Sequence, residues 1–156
     1  VPVFNFEVAG THTYHVGSAP HAVWTHNQSG NHPWSPTHSE RKGSKPPGRQ
    51  SHHIIQHAAV KNQGASYGMA PTIELAGGNS VPGSPHHRAT RSQATDWRGG
   101  TYGDERRVAR RALLAAGLSK ERVRVELDRA DRYFKNQLGW TDSTPTSVPA
   151  NRRPCR

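Results

Sequence analysis

The spacing of apolar residues changes along the chain, and each change marks an element. Val3-Phe4-Asn5-Phe6-Glu7-Val8 and Thr11-His12-Thr13-Tyr14-His15-Val16 alternate apolar and polar positions across a break at Ala9-Gly10. Alternation is the pattern of a half-buried strand, so residues 1–27 predict two short strands joined by a turn. The pattern stops from 28 to 50. Gly, Pro, Ser, Lys and Arg dominate there, ending in Lys45-Pro46-Pro47-Gly48, which predicts a basic linker or arm. Beyond it come a strand-like Ile54-Ile55, a loop with Gly64 and Gly68, a second strand at Thr72-Ile73-Glu74-Leu75, and turns at Gly77-Gly78 and Pro82-Gly83. Ser84-Pro85 then signals a helix start, a hydroxyl cap followed by Pro at the first helical position. A helix is expected over 104–116, with Asp104 and Glu105 in its first turn and Gly117 after its last. Ser119 can cap another, running to about Leu138, with Val123, Leu127, Ala130 and Phe134 on one face. From Thr141 a Pro- and Arg-rich tail is expected to lie along the surface or to be disordered. The fold class is therefore α+β, with strand, loop, strand and helix followed by further C-terminal helices and long loops.

Composition narrows the function. Apolar residues make up 31% of the 156, and there are 15 glycines and 12 prolines, so the core is small. The formal net charge of +10 points to a polyanionic partner such as nucleic acid, or to an acidic protein. Cys155 is the lone cysteine, which excludes a disulfide framework within the chain and a Cys-rich zinc ribbon. No apolar run approaches the roughly 20 residues of a membrane span. The N-terminus lacks the basic-then-apolar pattern of a signal peptide and starts with Val inside a strand pattern, so the sequence reads as part of a longer chain.

The densest chemical signal is Ser51-His52-His53, followed some thirty residues later by Ser84-Pro85-His86-His87. Adjacent side chains on a strand point to opposite faces, but at a strand end with a bulge they can converge. A strand-end His and a helix-start His, joined by a loop and a second strand, would form a ββα cradle for one cation. Imidazole suits zinc, nickel and similar metals. The metal would hold a scissile phosphate and stabilise the leaving oxygen, while a neutral imidazole takes a proton from water. This reading assigns His53 as general base and His52 and His86 as metal ligands.

The Ser-His-His motif, Ala70-Pro71 before the second strand, Gly83-Ser84-Pro85-His86, Gln93, and the run from Gly99 through Arg107 together resemble the Tox-SHH toxins of the HNH/endonuclease VII (His-Me finger) superfamily. The resemblance covers about Ser51 to Asn151. It implies a ββα-metal core and a metal-dependent endonuclease, the C-terminal toxin of a bacterial polymorphic toxin system. It also implies that the second His of the pair is the base and the first a ligand. One divalent ion is expected, Zn, Ni, Mg or Mn. DNA is the expected substrate and RNA the alternative. A cognate immunity protein, acidic to match the charge here, is the expected partner. Such a toxin is secreted within a larger protein and acts in the cytoplasm of a target cell. Two positions depart from relatives: His57 stands where an acid is common, and His87 where an aromatic residue is. The position one helical turn after His86 is Thr90, a poor ligand, with Gln93 beyond it, so the third protein ligand stays open.

Residues 1–27, ending in Val23-Trp24-Thr25-His26-Asn27, resemble the last strands of a Hint (intein-like) domain. That resemblance implies a processing site at His26-Asn27, with Gln28 as the first residue of the freed toxin. The domain division is then 1–27 Hint remnant, 28–50 linker and 51–156 nuclease. Further residues take candidate orienting or substrate-contacting roles. His57 and His87 are expected to be structural or to touch substrate, and Asn62 to serve its turn or to orient the site. Arg88 and Arg91 are phosphate-contact candidates on the helix of His86. Gln93, Glu105 and Arg106 are candidates for orienting the metal or gripping phosphate, against ordinary packing and helix-dipole roles. Trp97, Tyr102, Tyr133, Phe134 and Trp140 are expected in the core, and Arg152 and Arg153 either contact DNA or simply solubilise the tail. A different class of function, a non-catalytic zinc-stabilised nucleic-acid-binding module, would use the same histidines in a closed shell.

Overall fold

A computed structural model describes residues 32–42 and 46–147, together with the backbone of 13–16 and 23–26. The strand expected at 11–16 forms as β1 (Thr13–Val16) and pairs antiparallel with β2 (Val23–His26). Val3–Val8, Asn27, Gln28, Arg152, Arg153 and Cys155 lie outside the described residues, as does most of the Hint-like segment. The elements that follow are α1 (His38–Lys42), β3 (Arg49–His53), α2 (His57–Val60) with a 3-10 turn at Lys61–Gln63, and β4 (Thr72–Ala76). Next come α3 (Pro85–Asp96), β5 (Gly100–Thr101), α4 (Tyr102–Ala115), α5 (Lys120–Asp131) continued by a π-helical stretch Arg132–Gln137, and β6 (Pro145–Thr146). Among the described residues the sheets are antiparallel pairs, β1–β2, β3–β4 and β5–β6, so the architecture is α+β with small sheets.

Alanine solves the problem of a core built from few apolar residues. Ala59, Ala65, Ala70, Ala89, Ala109, Ala112, Ala116 and Ala130 are all buried. Small side chains let α3 and α4 approach closely, since helix separation depends on the residues at the contact. Ile54, Ile55, Leu113, Val123 and Leu127 fill the remaining space, beside an aromatic cluster of Trp34, Tyr102, Tyr133 and Phe134. Helix starts follow the expected chemistry. The Ser84 hydroxyl accepts from the His87 amide at the head of α3, with Pro85 in the first turn, and the Ser119 hydroxyl caps α5.

Four expectations change. Ile54-Ile55 is not strand: β3 spans Arg49–His53 and ends at the double histidine rather than starting from it. Both isoleucines follow in a bend and are 0% and 1% exposed. Full burial, not sheet pairing, explains their character. Residues 32–42, inside the stretch expected to be a linker, are folded onto the domain. Trp34 is buried, its indole N–H donates to the Met69 carbonyl, and Thr37 bridges to Pro71. Helix α4 begins two residues early because Thr101 and Asp104 form a reciprocal capping box. The expected tail from Thr141 is ordered through Ser147: β6 pairs with β5, and the Ser147 amide donates to the Ala59 carbonyl.

Candidate active site

The register of β3 on β4 is regular through its end, with His52 opposite Ile73 and His53 opposite Thr72. No bulge turns the two imidazoles to one side, so strand alternation sends them to opposite faces. His52 faces α3, where its ring meets His86, and His53 faces α1, α2 and the loop before β4.

His86 sits in the first turn of α3, held there by a tight join. The Ser84 hydroxyl donates to the Gly78 carbonyl, and a Cβ at Gly77, where φ is +74°, would lie 2.3 Å from the Ser84 Cβ. Only glycine permits that approach. His52 and His86 are 5% and 7% exposed. Their ring centroids are 5.1 Å apart with planes at 85°. His52 Nε2 and His86 Nδ1 are buried with no hydrogen-bond partner, an arrangement that costs about 1–3 kcal/mol per group unless something satisfies them.

A shared cation would satisfy both. With metal–nitrogen distances of about 2.0–2.1 Å and ring centroids about 1.1 Å further out, two imidazoles on a tetrahedral ion have centroids about 5 Å apart. Protonation state agrees. Burial, with help from His86 and His53, lowers the His52 pKa to about 3. Burial also lowers that of His86, the Gly77 carbonyl pulling the other way. Both rings are neutral at pH 7, as ligands must be. The pair therefore fits one divalent ion. Among the described residues no group of three or more His, Cys, Asp or Glu comes together to complete its shell.

On the opposite face, His53 Nε2 lies 3.0 Å from the Tyr67 carbonyl. A carbonyl can only accept, so Nε2 carries the proton and Nδ1 keeps its lone pair. Burial pushes the His53 pKa down to about 4, with His38 and His57 adding to the fall and the Tyr67 bond opposing it. The His38 ring stacks on His53 at 4.8 Å and 19°, and His38 Nδ1 is 3.2 Å from the Ser51 hydroxyl. Ser51 of the Ser-His-His motif thus touches the ring that covers His53. Neither His38 nor Tyr67 is indicated by sequence pattern. His38 lies in the polar stretch read as linker, and Tyr67 in a glycine-containing loop.

The remaining candidates divide. His57 heads α2, its ring 5.8 Å from His53, with Nδ1 buried and unpartnered and its pKa lowered first by burial and then by Lys61. Asn62 is exposed on the 3-10 turn. His87 Nδ1 accepts from the Gly83 amide and fixes the loop before α3. Arg88 donates to the carbonyls of Ala115, Ala116 and Gly83, where it offsets the negative end of α4. Arg91 is exposed. Gln93 is buried, and its amide donates to the carbonyls of His53 and Ile54, at 3.3 Å each. It ties the end of β3 to α3. Glu105 is 2% exposed, accepts from Gln56 at 2.9 Å, and has its carboxyl pKa raised by burial. Arg106 pairs with Asp131 and, at 3.8 Å, with Asp128. Both join α4 to its neighbours.

Residues 47–135 match the Tox-SHH family, described as HNH/endonuclease VII superfamily toxins with a SHH signature. The chain belongs to this family of nuclease toxins. No curated protein and no solved structure matches it. No helix among the described residues is long and apolar enough to cross a membrane.

Proposed function

We propose that the domain is a divalent-metal-dependent endonuclease of a bacterial polymorphic toxin, that DNA is its substrate, and that β3, β4 and α3 form its ββα-metal core. The observation carrying this reading is the buried, edge-on pair His52–His86 with two unpartnered nitrogens, at a strand end whose other face carries an imidazole with its tautomer set for base chemistry. His52 Nε2 and His86 Nδ1 would hold the metal, which when bound supplies Lewis-acid stabilisation of the leaving oxygen. His53 Nδ1 takes the proton from water as the water oxygen attacks phosphorus and the P–O bond to the leaving group breaks. The Tyr67 carbonyl keeps Nε2–H in place and steadies the imidazolium that forms. An incoming phosphodiester anion raises the basicity of His53, since a nearby negative charge favours the protonated ring. The net charge of +10 draws the polyanion in and suits an acidic immunity protein.

Incubation of the purified chain with plasmid DNA and with total RNA, plus Mg²⁺, Mn²⁺, Ni²⁺ or Zn²⁺, tests the reading. Cleavage is expected with metal, absent with chelator, and reduced by at least about a hundredfold in His53→Ala. Cleavage of RNA alone would keep the mechanism and change the substrate. Full activity in His53→Ala would contradict the catalytic assignment.

A further inference from the structure

Tyr67 is the aromatic residue the fold leaves outside. Trp34, Tyr102, Tyr133 and Phe134 are buried and Trp97 and Trp140 partly so, whereas Tyr67 is 53% exposed. It is alone in this among the described Phe, Trp and Tyr residues. In a chain with so few apolar residues, leaving a large ring in water forgoes burial that the core could use. The ring is nevertheless held in place. Its centroid lies 4.4 Å from His38 and 5.0 Å from His57, both edge-on, and 4.8 Å from His53. Imidazoles from three elements thus fix its orientation beside the proposed base. A fixed, exposed aromatic surface is what another flat ring stacks on.

We propose that Tyr67 is the stacking platform for a nucleobase adjoining the phosphodiester presented to His53. The proposal rests on the nuclease reading above. A base reaches a side-chain ring only when its own faces are released from its neighbours. The platform therefore selects single-stranded or locally unstacked nucleic acid over intact duplex, with little regard to sequence. The net charge of +10 attracts both forms through their phosphates, so the difference between the two forms reports the contribution of the ring.

The test uses the full chain in EDTA, to prevent cleavage, at one fixed salt concentration. The probes are a short single-stranded oligonucleotide carrying 2-aminopurine at its centre and the same sequence as a duplex. Wild type and Tyr67→Phe are expected to bind the single strand and quench its fluorescence. Tyr67→Leu is expected to lose the quench and roughly tenfold or more of single-strand affinity, with duplex affinity changed far less. The His53 anchor is main chain, so it survives these substitutions, and thermal melting checks the fold of each variant. Tyr67→Trp, with a larger ring, is expected to bind the single strand at least as well as wild type. Equal losses on both nucleic acids, or wild-type binding and quenching by Tyr67→Leu, would overturn the platform. Such a result leaves the nuclease reading intact, because that reading depends on His53→Ala and on the chelator.

Discussion

Acidification of the metal-free chain should destabilise it through the buried imidazoles, and the size of the effect follows from their positions. Folding lowers the pKa of His52 to about 3 and that of His53 to about 4, burial being the leading cause for each. An unfolded histidine titrates near 6.5. Between these limits the unfolded chain binds protons that the folded chain refuses. The stability these two rings contribute is therefore present above about pH 6.5 and lost as pH falls toward 4. Taking roughly 1.36 kcal/mol per pH unit, each ring costs about 2 kcal/mol between pH 7 and pH 5. The assay is urea denaturation in EDTA at both pH values, wild type beside His52→Leu, read from the midpoint at constant slope. Leucine cannot titrate and suits the apolar neighbours Ile73 and Leu75, which lie on the same face of the β3–β4 pair. Wild type should lose about 2 kcal/mol more than His52→Leu over this interval. Identical losses would mean that burial does not hold His52 neutral in the fold.

Two further outcomes test individual placements. Gln93→Leu leaves the carbonyls of His53 and Ile54 without a donor, and because the bonds it removes are long the expected cost is about 2 kcal/mol in urea denaturation. Nickel affinity by calorimetry should change little, whereas a selective loss of metal binding would restore Gln93 as a ligand. Trp34→Ala should cost about 3–5 kcal/mol, as burial in the core demands; a melting temperature equal to that of wild type would return residues 32–42 to the status of a linker.

Much of the scaffold was legible because local chemistry decides it. Ser84-Pro85 fixes the start of α3, and hence the position of His86, within a few residues of sequence. Ser119 does the same for α5. The pairing of His52 with His86 was legible for a similar reason: a strand end and a helix start joined by one intervening strand must lie close together. The side of the strand was harder to read. Two adjacent histidines converge only with a bulge, and the regular register to Ile73 and Thr72 leaves His53 on the other face from His52. Of what surrounds His53, His57 was a candidate from sequence, but His38 and Tyr67 were not legible. His38 reaches it because α1 is laid across β3 by Trp34, Thr37 and the ion pair of Arg41 with Glu74. Those are contacts between distant segments, and a Gly- and Pro-rich stretch with a single tryptophan carries no periodic trace of them. The same limit hid the partners of Arg88, Glu105 and Arg106. Proximity to His86 along α3 suggested a phosphate contact for Arg88, and family resemblance an orienting role for Glu105 or Arg106, while their partners, the carbonyls ending α4, Gln56 and Asp131, lie at positions that only the fold supplies.

In the proposed centre two imidazoles, thirty-four positions apart in the chain, share one cation beside a third that does not touch it. Anomalous diffraction from crystals grown with nickel or zinc measures this directly. One metal peak is expected, about 2.0–2.1 Å from both His52 Nε2 and His86 Nδ1, with His53 outside the coordination sphere. A peak bound instead among His53, His38 and His57, with the His52–His86 pair left bare, would contradict it.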